Sequence, residues 1–213
     1  MTTSRPLISA MQVTLDGYSS EGDAKWVDSW ADGIALLPPV DAFVLGGGMF
    51  PDYEQFWATI LDDPGAASDM LGRDPYPREV DYARLAAKTP HLVLSKTLTD
   101  ANWPTARIVH DINEIRTLRQ QPGKAVYVVG GPGLLSSLIN AGLLDEVRLI
   151  VHPVVTGRGA TVFGGIAEPR ALELVSAVPT TSGRVNLTYR MGPPTAPTTT
   201  TSARSRASSA SQG

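Results

Sequence analysis

The chain of 213 residues contains no cysteine, and this absence removes several chemistries at once. Disulfide bonds, thiolate catalysis and cysteine-ligated metals are all excluded. Charged residues are also sparse, at 18% of the sequence, and the net charge is only −3. Because a nucleic-acid-binding surface needs a basic patch to neutralise phosphates, the composition predicts no nucleic-acid partner.

Long hydrophobic runs are absent as well. No stretch approaches the roughly 20 apolar residues that span a bilayer, and the first apolar run, at 7–13, is too short and too polar for a signal peptide. The sequence therefore predicts a cytoplasmic protein with no membrane partner. The three histidines are scattered without ligand-like spacing, so no metal site is predicted.

The segment 193–213 differs in composition from the rest of the chain. It consists mainly of Thr, Ser, Ala and Pro, and its only charges are Arg204 and Arg206. Such a segment cannot bury enough apolar surface to offset the entropy lost on ordering. We predict one globular domain over residues 1–192 and a disordered tail over residues 193–213, with a docking tail as the alternative.

Strand and helix signals alternate along the rest of the chain. Helical spacing predicts three helices. The first covers 79–87, the second begins after a capping Asp111 and has Glu114 in its first turn, and the third runs from Pro132 up to Gly142. Interleaved strands and helices predict an α/β fold with a largely parallel sheet and an antiparallel finish. The predicted strands are 7–13, 41–45, 91–95, 107–109, 125–129, 146–155, 172–175 and 185–189.

Two glycines separate a predicted strand from a predicted helix at V-Y-V-V-G-G-P-G, residues 126–133. Glycine lets the backbone approach a ligand closely because it has no Cβ. The start of a helix offers unpaired N–H groups and a partial positive charge. The segment therefore predicts a phosphate or pyrophosphate site, and the alternative is a tight turn that binds nothing.

A second glycine cluster, at 46–48, also ends a predicted strand. Ligands of open α/β sheets lie at the carboxyl ends of strands, so two such turns predict one shared nucleotide crevice. The first strand leads into T-L-D-G-Y and not into a Gly-x-Gly-x-x-Gly turn. A standard Rossmann domain is therefore disfavoured.

Several short motifs follow one another in a characteristic order. They are residues 9–18, 45–46, 53–54 with Trp57, 93–98, 129–131, 142–146, 152–159 and 187–189. Their order resembles the dihydrofolate reductase-like superfamily, and within it the branch of the RibD C-terminal domain, the reductase of riboflavin biosynthesis. The resemblance covers residues 5–191. It implies a three-layer α/β fold, with a mostly parallel mixed sheet of about eight strands and helices on both faces.

The resemblance implies an NADPH-dependent oxidoreductase that passes hydride to a small heterocyclic substrate, and it implies a homodimer. It places the adenosine and phosphates over the two glycine turns and the third strand's end. It places the nicotinamide near the first strand and the loop that follows. The implied cofactor-binding residues are Ala10, Leu15, Gly17, Gly46, Gly47, Ser95, Lys96, Gly130, Gly131, Pro132 and Gly133.

Two positions depart from the pattern of the superfamily. Members often carry arginine after the first glycine of the second-strand turn, where it holds the 2′-phosphate of NADPH, and this chain has Gly47. The missing arginine removes a charge-assisted contact. Lys96 is the candidate replacement, and NADH stays open as the alternative reductant. Met49 stands where members often have threonine.

Three carboxylates are the candidate catalytic acids. We expect Asp16 to organise the loop after the first strand or to touch the bound ligands. Asp28 and Asp32 lie where the resemblance places the carboxylate that helps to protonate the substrate. A buried carboxylate with a raised pKa suits general-acid work. The alternatives are a plain Asp-Gly turn for Asp16 and solvated helix charges for Asp28 and Asp32.

Other functions are compatible with the same fold, because fold does not fix function. One alternative is a non-catalytic nucleotide-binding module, which would lack an acid near the nicotinamide. Another is a structural partner-binding protein, which would expose a large apolar patch. The apolar run 147–155 is the candidate dimer face, with a central strand as the alternative.

Overall fold

Eight strands form one continuous sheet in the computed structural model, which describes residues 4–19, 26–27 and 30–194. The order across the sheet is β4-β3-β2-β5-β1-β6-β8-β7. All pairings from β4 to β6 are parallel, whereas β8 pairs antiparallel with both β6 and β7. The strands are β1 (Leu7–Thr14), β2 (Val40–Gly46), β3 (His91–Leu94), β4 (Ala106–Val109), β5 (Ala125–Val129), β6 (Glu146–His152), β7 (Arg170–Pro179) and β8 (Val185–Pro194).

Helices cover both faces of this sheet. Phe43 and Tyr127 pack under α2 and α4 on one face, whereas Val126 and Val128 pack under α5 and α6 on the other. The three-layer arrangement and the largely parallel sheet with an antiparallel finish are therefore confirmed. The helices are α1 (Ala31–Ala35), α2 (Phe50–Asp62), α3 (Pro64–Leu71), α4 (Pro77–Lys88), α5 (Ile112–Gln120) and α6 (Pro132–Asn140).

Strand β5 occupies the middle of the sheet, between β2 and β1. All five of its residues are buried, because a parallel strand covered by helices on both sides presents apolar side chains to both. The continuous apolar run that predicted this strand has this physical origin. The strand delivers the Gly130-Gly131 turn to the centre of the sheet edge, directly before α6.

The ends of some elements differ from the predicted ones. Asp111 caps α5 as predicted, through an N–H of Asn113 that donates to its carboxylate at 2.9 Å. Glu114 does not complete a capping box, because its carboxylate pairs with Arg107 on β4. Strand β6 ends at His152, shorter than the predicted 146–155, because Pro153 has no N–H to continue the ladder.

A buried carboxylate holds the connection between α3 and α4. Glu79 is fully buried, and both its oxygens accept hydrogen bonds of 2.9 Å from the Arg73 guanidinium. One oxygen also accepts from the N–H of Tyr76 at 2.9 Å, which closes a capping box at the start of α4. The Arg73 guanidinium lies 3.9 Å from the centre of the Tyr76 ring. Charge pairing and helix capping thus meet at one residue.

The position of β6 in the sheet shows whether the apolar run 147–155 is a dimer face or part of a central strand. Strand β6 is flanked by β1 and β8, so the run belongs to a central strand and not to an exposed dimer face. Strand β8 continues through Pro194, two residues into the segment predicted as a tail, and residues 195–213 lie outside the described residues. Within the described part of the chain, no helix has the length and apolarity needed to cross a bilayer.

Candidate active site

A cleft opens at the carboxyl ends of β1 and β5, on the face of the sheet covered by α1, α2 and α4. Its empty volume is about 680 Å³, including the open mouth. This is where open α/β sheets bind ligands. We call it the sheet-end cleft. The described lining residues are Ala10, Met11, Gln12, Ser19, Trp30, Gly33, Ile34, Met49, Tyr53, Trp57, Tyr82, Tyr127, Val129, Gly130 and Gly131.

The two predicted glycine turns lie side by side. Leu45 pairs with Val129 across the β2–β5 ladder, so Gly46 and Gly130 follow on neighbouring strands. A Cβ on Gly130 would lie 2.8 Å from Leu134 Cδ2 and 3.6 Å from the backbone nitrogen of Gly46. A larger residue at position 130 would therefore have to displace the Leu134 side chain in the first turn of α6.

A second depression lies beyond these turns, at the carboxyl ends of β3 and β4. We call it the Lys96 groove. Lys96 is the single lysine or arginine among its described lining residues, and His110 and Asp111 stand on the same rim. The Nδ1 of His110 hydrogen-bonds the Ser95 carbonyl at 2.7 Å. The described lining residues are Gly46, Leu94, Ser95, Lys96, His110, Asp111, Ile112, Gly133, Leu134 and Ser137.

The start of α6 separates the two depressions. Gly131 is the N-cap residue, Pro132 occupies the first turn, and no side chain caps this end. The first N–H groups of a helix have no partner within it. Gly131 lines the sheet-end cleft and Gly133 lines the Lys96 groove, so the helix start faces both.

Asp16 anchors the loop after β1 to the loop after β6. Its carboxylate accepts hydrogen bonds from the N–H of Gly157 at 2.7 Å and from that of Thr156 at 3.2 Å. A hydrogen bond from Thr14, together with these two, lowers the pKa of Asp16. These contacts join the two loops, and Asp16 is not among the described lining residues of the sheet-end cleft.

The other two predicted acids are placed differently. Asp32, in the first turn of α1, is partly exposed and forms an ion pair with Arg184 of the β7–β8 connection. Its neighbours Gly33 and Ile34 line the sheet-end cleft, but Asp32 is not among the lining residues. Asp28 lies outside the described residues. Among the described residues that line the cleft, none is an aspartate or a glutamate.

The polar groups on the floor of the cleft are phenols. The hydroxyls of Tyr53 and Tyr82 lie 2.9 Å apart, buried between α2 and α4. Tyr127 of β5 lines the same floor. Burial raises the pKa of all three hydroxyls, so each is a neutral O–H group at physiological pH. Sequence reasoning missed this cluster.

An amide–imidazole pair forms another part of the lining. The Nε2–H of buried His152 donates to Gln12 Oε1 at 2.8 Å, from β6 to β1. The Trp26 ring packs against the imidazole in an edge-to-face arrangement, with ring centroids 4.8 Å apart. His152 thereby orients the Gln12 amide at the wall of the cleft, which it does not line itself.

A buried carboxylate ties α2 to the loop that follows β3. Glu54 of α2 accepts hydrogen bonds from Asn102 Nδ2 at 2.7 Å and from the N–H of Trp103 at 2.5 Å. The loop that begins at Lys96 is therefore tied to the helix that carries Tyr53. In the Tyr-Glu pair of the sequence motif, Tyr53 lines the cleft and Glu54 holds the loop after β3.

The sequence model of the RibD C-terminal domain matches residues 5–187. The chain belongs to the RibD C-terminal domain family. Among curated proteins it is similar to the uncharacterized protein YyaP of Bacillus subtilis (strain 168). The two are 27% identical over 190 residues, which cover 87% of this chain and 94% of YyaP.

Solved structures show the same fold at low sequence identity. A putative riboflavin biosynthesis protein from Shewanella sp. PV-4 superposes with a TM-score of 0.62 at 18% identity, covering 88% of this chain and 99% of that one. A dihydrofolate reductase from Enterococcus faecalis, solved with NADP(H), superposes with a TM-score of 0.50 at 16% identity, covering 87% and 96%. The predicted dihydrofolate reductase-like fold of the RibD C-terminal branch is confirmed.

The residues that the RibD resemblance implied for a cofactor fall into three groups. Ala10, Gly130 and Gly131 line the sheet-end cleft. Gly46, Ser95, Lys96 and Gly133 line the Lys96 groove. The remaining ones are not among the described lining residues of either depression; they are Leu15, Gly17, Gly47 and Pro132.

Proposed function

We propose that this protein is an NAD(P)H-dependent reductase that transfers hydride to a small heterocyclic acceptor. The observation that carries the proposal is that two glycine turns lie side by side at the carboxyl ends of β2 and β5. They stand between the sheet-end cleft, which has aromatic walls, and the Lys96 groove. Membership of the RibD C-terminal domain family and a dihydrofolate reductase solved with NADP(H) support it.

The chain's own residues would divide the dinucleotide between the two depressions. The unpaired N–H groups at the start of α6 suit the pyrophosphate. The nicotinamide would lie in the sheet-end cleft against Ala10, and the adenosine in the Lys96 groove. When bound, the cofactor supplies the hydride, and the protein supplies orientation and electrostatics.

The acceptor would share the sheet-end cleft with the nicotinamide. Trp57, Tyr127, Ile34 and Met49 give this cleft mostly apolar and aromatic walls. Such walls suit a flat heterocycle, which buries its faces against rings and carries polar atoms on its edge. The Gln12 amide and the phenols are the groups available for those edge atoms.

Lys96 would carry the preference for NADPH over NADH. Position 47 holds no side chain, so the arginine contact common in the superfamily is absent. Lys96 is exposed at the groove and can pair with a 2′-phosphate. The proposed reductant is therefore NADPH, and NADH is its alternative.

The decisive experiment is a calorimetric titration of the purified protein with NADPH and with NADH. We expect NADPH to bind more tightly, and Lys96→Ala to weaken NADPH by about tenfold while NADH is unchanged, because one charged hydrogen bond is worth about 1.5 kcal/mol. The matched control is Lys124→Ala, an exposed lysine just before β5, at the other end of the sheet. Equal affinity for the two nucleotides shows that the 2′-phosphate is not recognised. Binding of neither contradicts the proposal.

A non-catalytic nucleotide-binding module is the second candidate. The observation that favours it is the lack of a carboxylate among the described lining residues of the cleft. Loss of NADPH absorbance in the presence of heterocyclic acceptors, dihydrofolate among them, separates the two. Nucleotide binding without oxidation across that panel would favour the module.

We also propose that the protein forms a homodimer. Its contact surface would be strand β7 and not the run 147–155. Strand β7 is one of the two edges of the sheet, and its side chains Leu172, Leu174, Val175 and Val178 are exposed. An edge strand with several exposed apolar side chains is a template for pairing. A second copy of the chain offers the same strand, so the contact would be self-complementary.

A further inference from the structure

Three tyrosines from distant parts of the chain converge on the floor of the sheet-end cleft. Tyr53 comes from α2, Tyr82 from α4 and Tyr127 from β5. Neighbouring rings fix their positions, since the Trp57 ring lies 4.6 Å from that of Tyr82 and 6.1 Å from that of Tyr53, between centroids. Rings held in this way present their hydroxyls in a defined geometry.

The hydrogen-bond count of the Tyr53–Tyr82 pair leaves one proton over. Each phenol carries one O–H and can also accept. The single contact between the two oxygens, 2.9 Å long, uses one of the two protons. The second proton has no acceptor among the residues that the structure describes. A buried donor without an acceptor is unfavourable, so a ligand atom that accepts this proton would bind more tightly than one that cannot.

The two members of the pair are not equivalent. Tyr53 is 6% exposed and Tyr82 is 4% exposed, and Tyr53 stands one helical turn after Met49, which also lines the cleft. Either oxygen can donate in the bond between them. Tyr53 can therefore turn its O–H towards the cleft while Tyr82 donates to it, and Tyr82 would then stabilise the oxygen left behind.

We propose that Tyr53 donates a hydrogen bond, and then its proton, to the carbonyl oxygen or ring nitrogen of the acceptor, with Tyr82 as its positioning residue. This inference rests on the proposed reductase function and names the acid that no described carboxylate supplies. It also restricts the substrate class to heterocycles whose reducible carbon is double-bonded to an oxygen or nitrogen.

The proposed step balances in atoms and electrons. A bound dihydronicotinamide would supply the hydride for the new C–H bond, and the π electron pair of the C=O or C=N bond would move to the heteroatom. The heteroatom takes the Tyr53 proton, so the acceptor is reduced by two electrons and the nicotinamide is oxidised by two. Water entering the open cleft returns a proton to the Tyr53 phenolate, which the Tyr82 O–H holds meanwhile.

A cofactor-free probe tests the donor directly. The ionised form of 4-nitrophenol presents an oxyanion on a flat ring, and 4-nitrotoluene has nearly the same shape without the oxyanion. We expect the purified protein to bind 4-nitrophenolate at least tenfold more tightly than 4-nitrotoluene and to shift its absorption band. Loss of a hydrogen bond to a charged group should then weaken 4-nitrophenolate about tenfold or more in Tyr53→Phe, with 4-nitrotoluene unchanged.

Two further variants separate a donor from a structural hydroxyl. Tyr53→Phe and Tyr82→Phe lose the same mutual hydrogen bond, so their melting temperatures should fall equally. Tyr82→Phe keeps the Tyr53 O–H, so it should keep most of the affinity and of the spectral shift. Tyr189→Phe on β8 should behave as the unmodified protein in both measurements, since Tyr189 packs in the cluster on the other face of the sheet.

The proposal is overturned if 4-nitrophenolate binds no better than 4-nitrotoluene, or if the two phenylalanine variants lose affinity equally. Neither measurement uses NADPH. A protein that binds the probe through Tyr53 but no nucleotide would retain the donor site and lose the reductase function. A protein that binds nucleotide but does not bind the probe through Tyr53 would keep the proposed reductase function, and Tyr53 would not be its proton donor.

Discussion

Gly47 lies so close to Ser95 that a Cβ at position 47 would stand 2.3 Å from the serine Oγ. The serine cannot easily move away, because its hydroxyl accepts from the N–H groups of Thr97 and Leu98 at 3.2 and 3.0 Å. The Gly47 N–H in turn donates to the Leu94 carbonyl at 2.9 Å. Glycine at position 47 is thus required by the close approach of Ser95.

Replacement of Gly47 by alanine should therefore destabilise the protein. We expect a loss of about 1–3 kcal/mol in the free energy of unfolding, the usual range for overpacking, measured by urea denaturation. The same change in a Ser95→Gly background should cost less, because the clashing side chain is gone. Gly48→Ala is the matched control, since nothing lies within 4 Å of its added Cβ. Equal losses in both backgrounds would contradict the steric explanation.

Glu79→Gln should weaken the α3–α4 connection. The variant leaves the Arg73 guanidinium with a neutral partner, and we expect a loss of about 3 kcal/mol in unfolding free energy, at the low end for buried pairs because Arg73 is partly exposed. Asp81→Asn, on the same helix, removes an exposed pair with Arg84 and should cost under about 0.5 kcal/mol. Similar losses for the two variants would refute the role assigned to burial.

His91 should make stability fall in mild acid. Burial lowers the pKa of His91 to about 4 from its ordinary 6.5. Between pH 6.5 and pH 4, His91 is protonated in the unfolded chain but remains neutral in the folded one. The free energy of unfolding, which is highest above pH 6.5, therefore decreases as the pH falls towards 4. This group alone should remove about 2 kcal/mol between pH 7 and pH 5. Urea denaturation at both pH values measures it, and the loss should be smaller in His91→Gln. An unchanged loss in the variant would assign it to other groups.

The proposed β7 interface predicts a change of oligomeric state. Leu174→Lys combined with Val178→Lys should convert the dimer to a monomer in sedimentation equilibrium, because two buried charges would face their copies. Leu85→Lys, which changes an exposed apolar side chain on α4, should leave the dimer intact. A monomer before any substitution, or a dimer after both, would rule out this interface.

Local signals in the sequence account for much of the fold. Strand β5 and the start of α6 were predictable because a buried apolar run, two glycines and a first-turn proline all lie within ten residues. Helix α2 was missed although Phe50, Tyr53, Trp57 and Ile60 repeat at helical spacing. Its N-cap Met49 follows three glycines and its first turn includes Pro51, so the segment resembles a loop.

The site was predictable only where one segment builds it. The glycine turns belong to single segments, and their meeting follows from the parallel pairing of β2 with β5. The phenol cluster has no local signal, since Tyr53, Tyr82 and Tyr127 are far apart in sequence and meet only in the packed domain. The Asp32–Arg184 ion pair is similar, because it spans 152 positions.

The position of β5 in the sheet also determines when the cleft can form during folding. Strands β1 and β2 are not neighbours, and β5 fills the gap between them. In a nascent chain that has not yet reached residue 125, β2 can pair on one side with β3, whereas β1 has neither of its partners, β5 and β6. Such a chain also lacks Tyr127 of the cleft. Contacts of such long sequence separation slow folding. We expect the cleft to form among the last parts of the domain, and fragments that stop before β5 to expose its two flanking strands to aggregation.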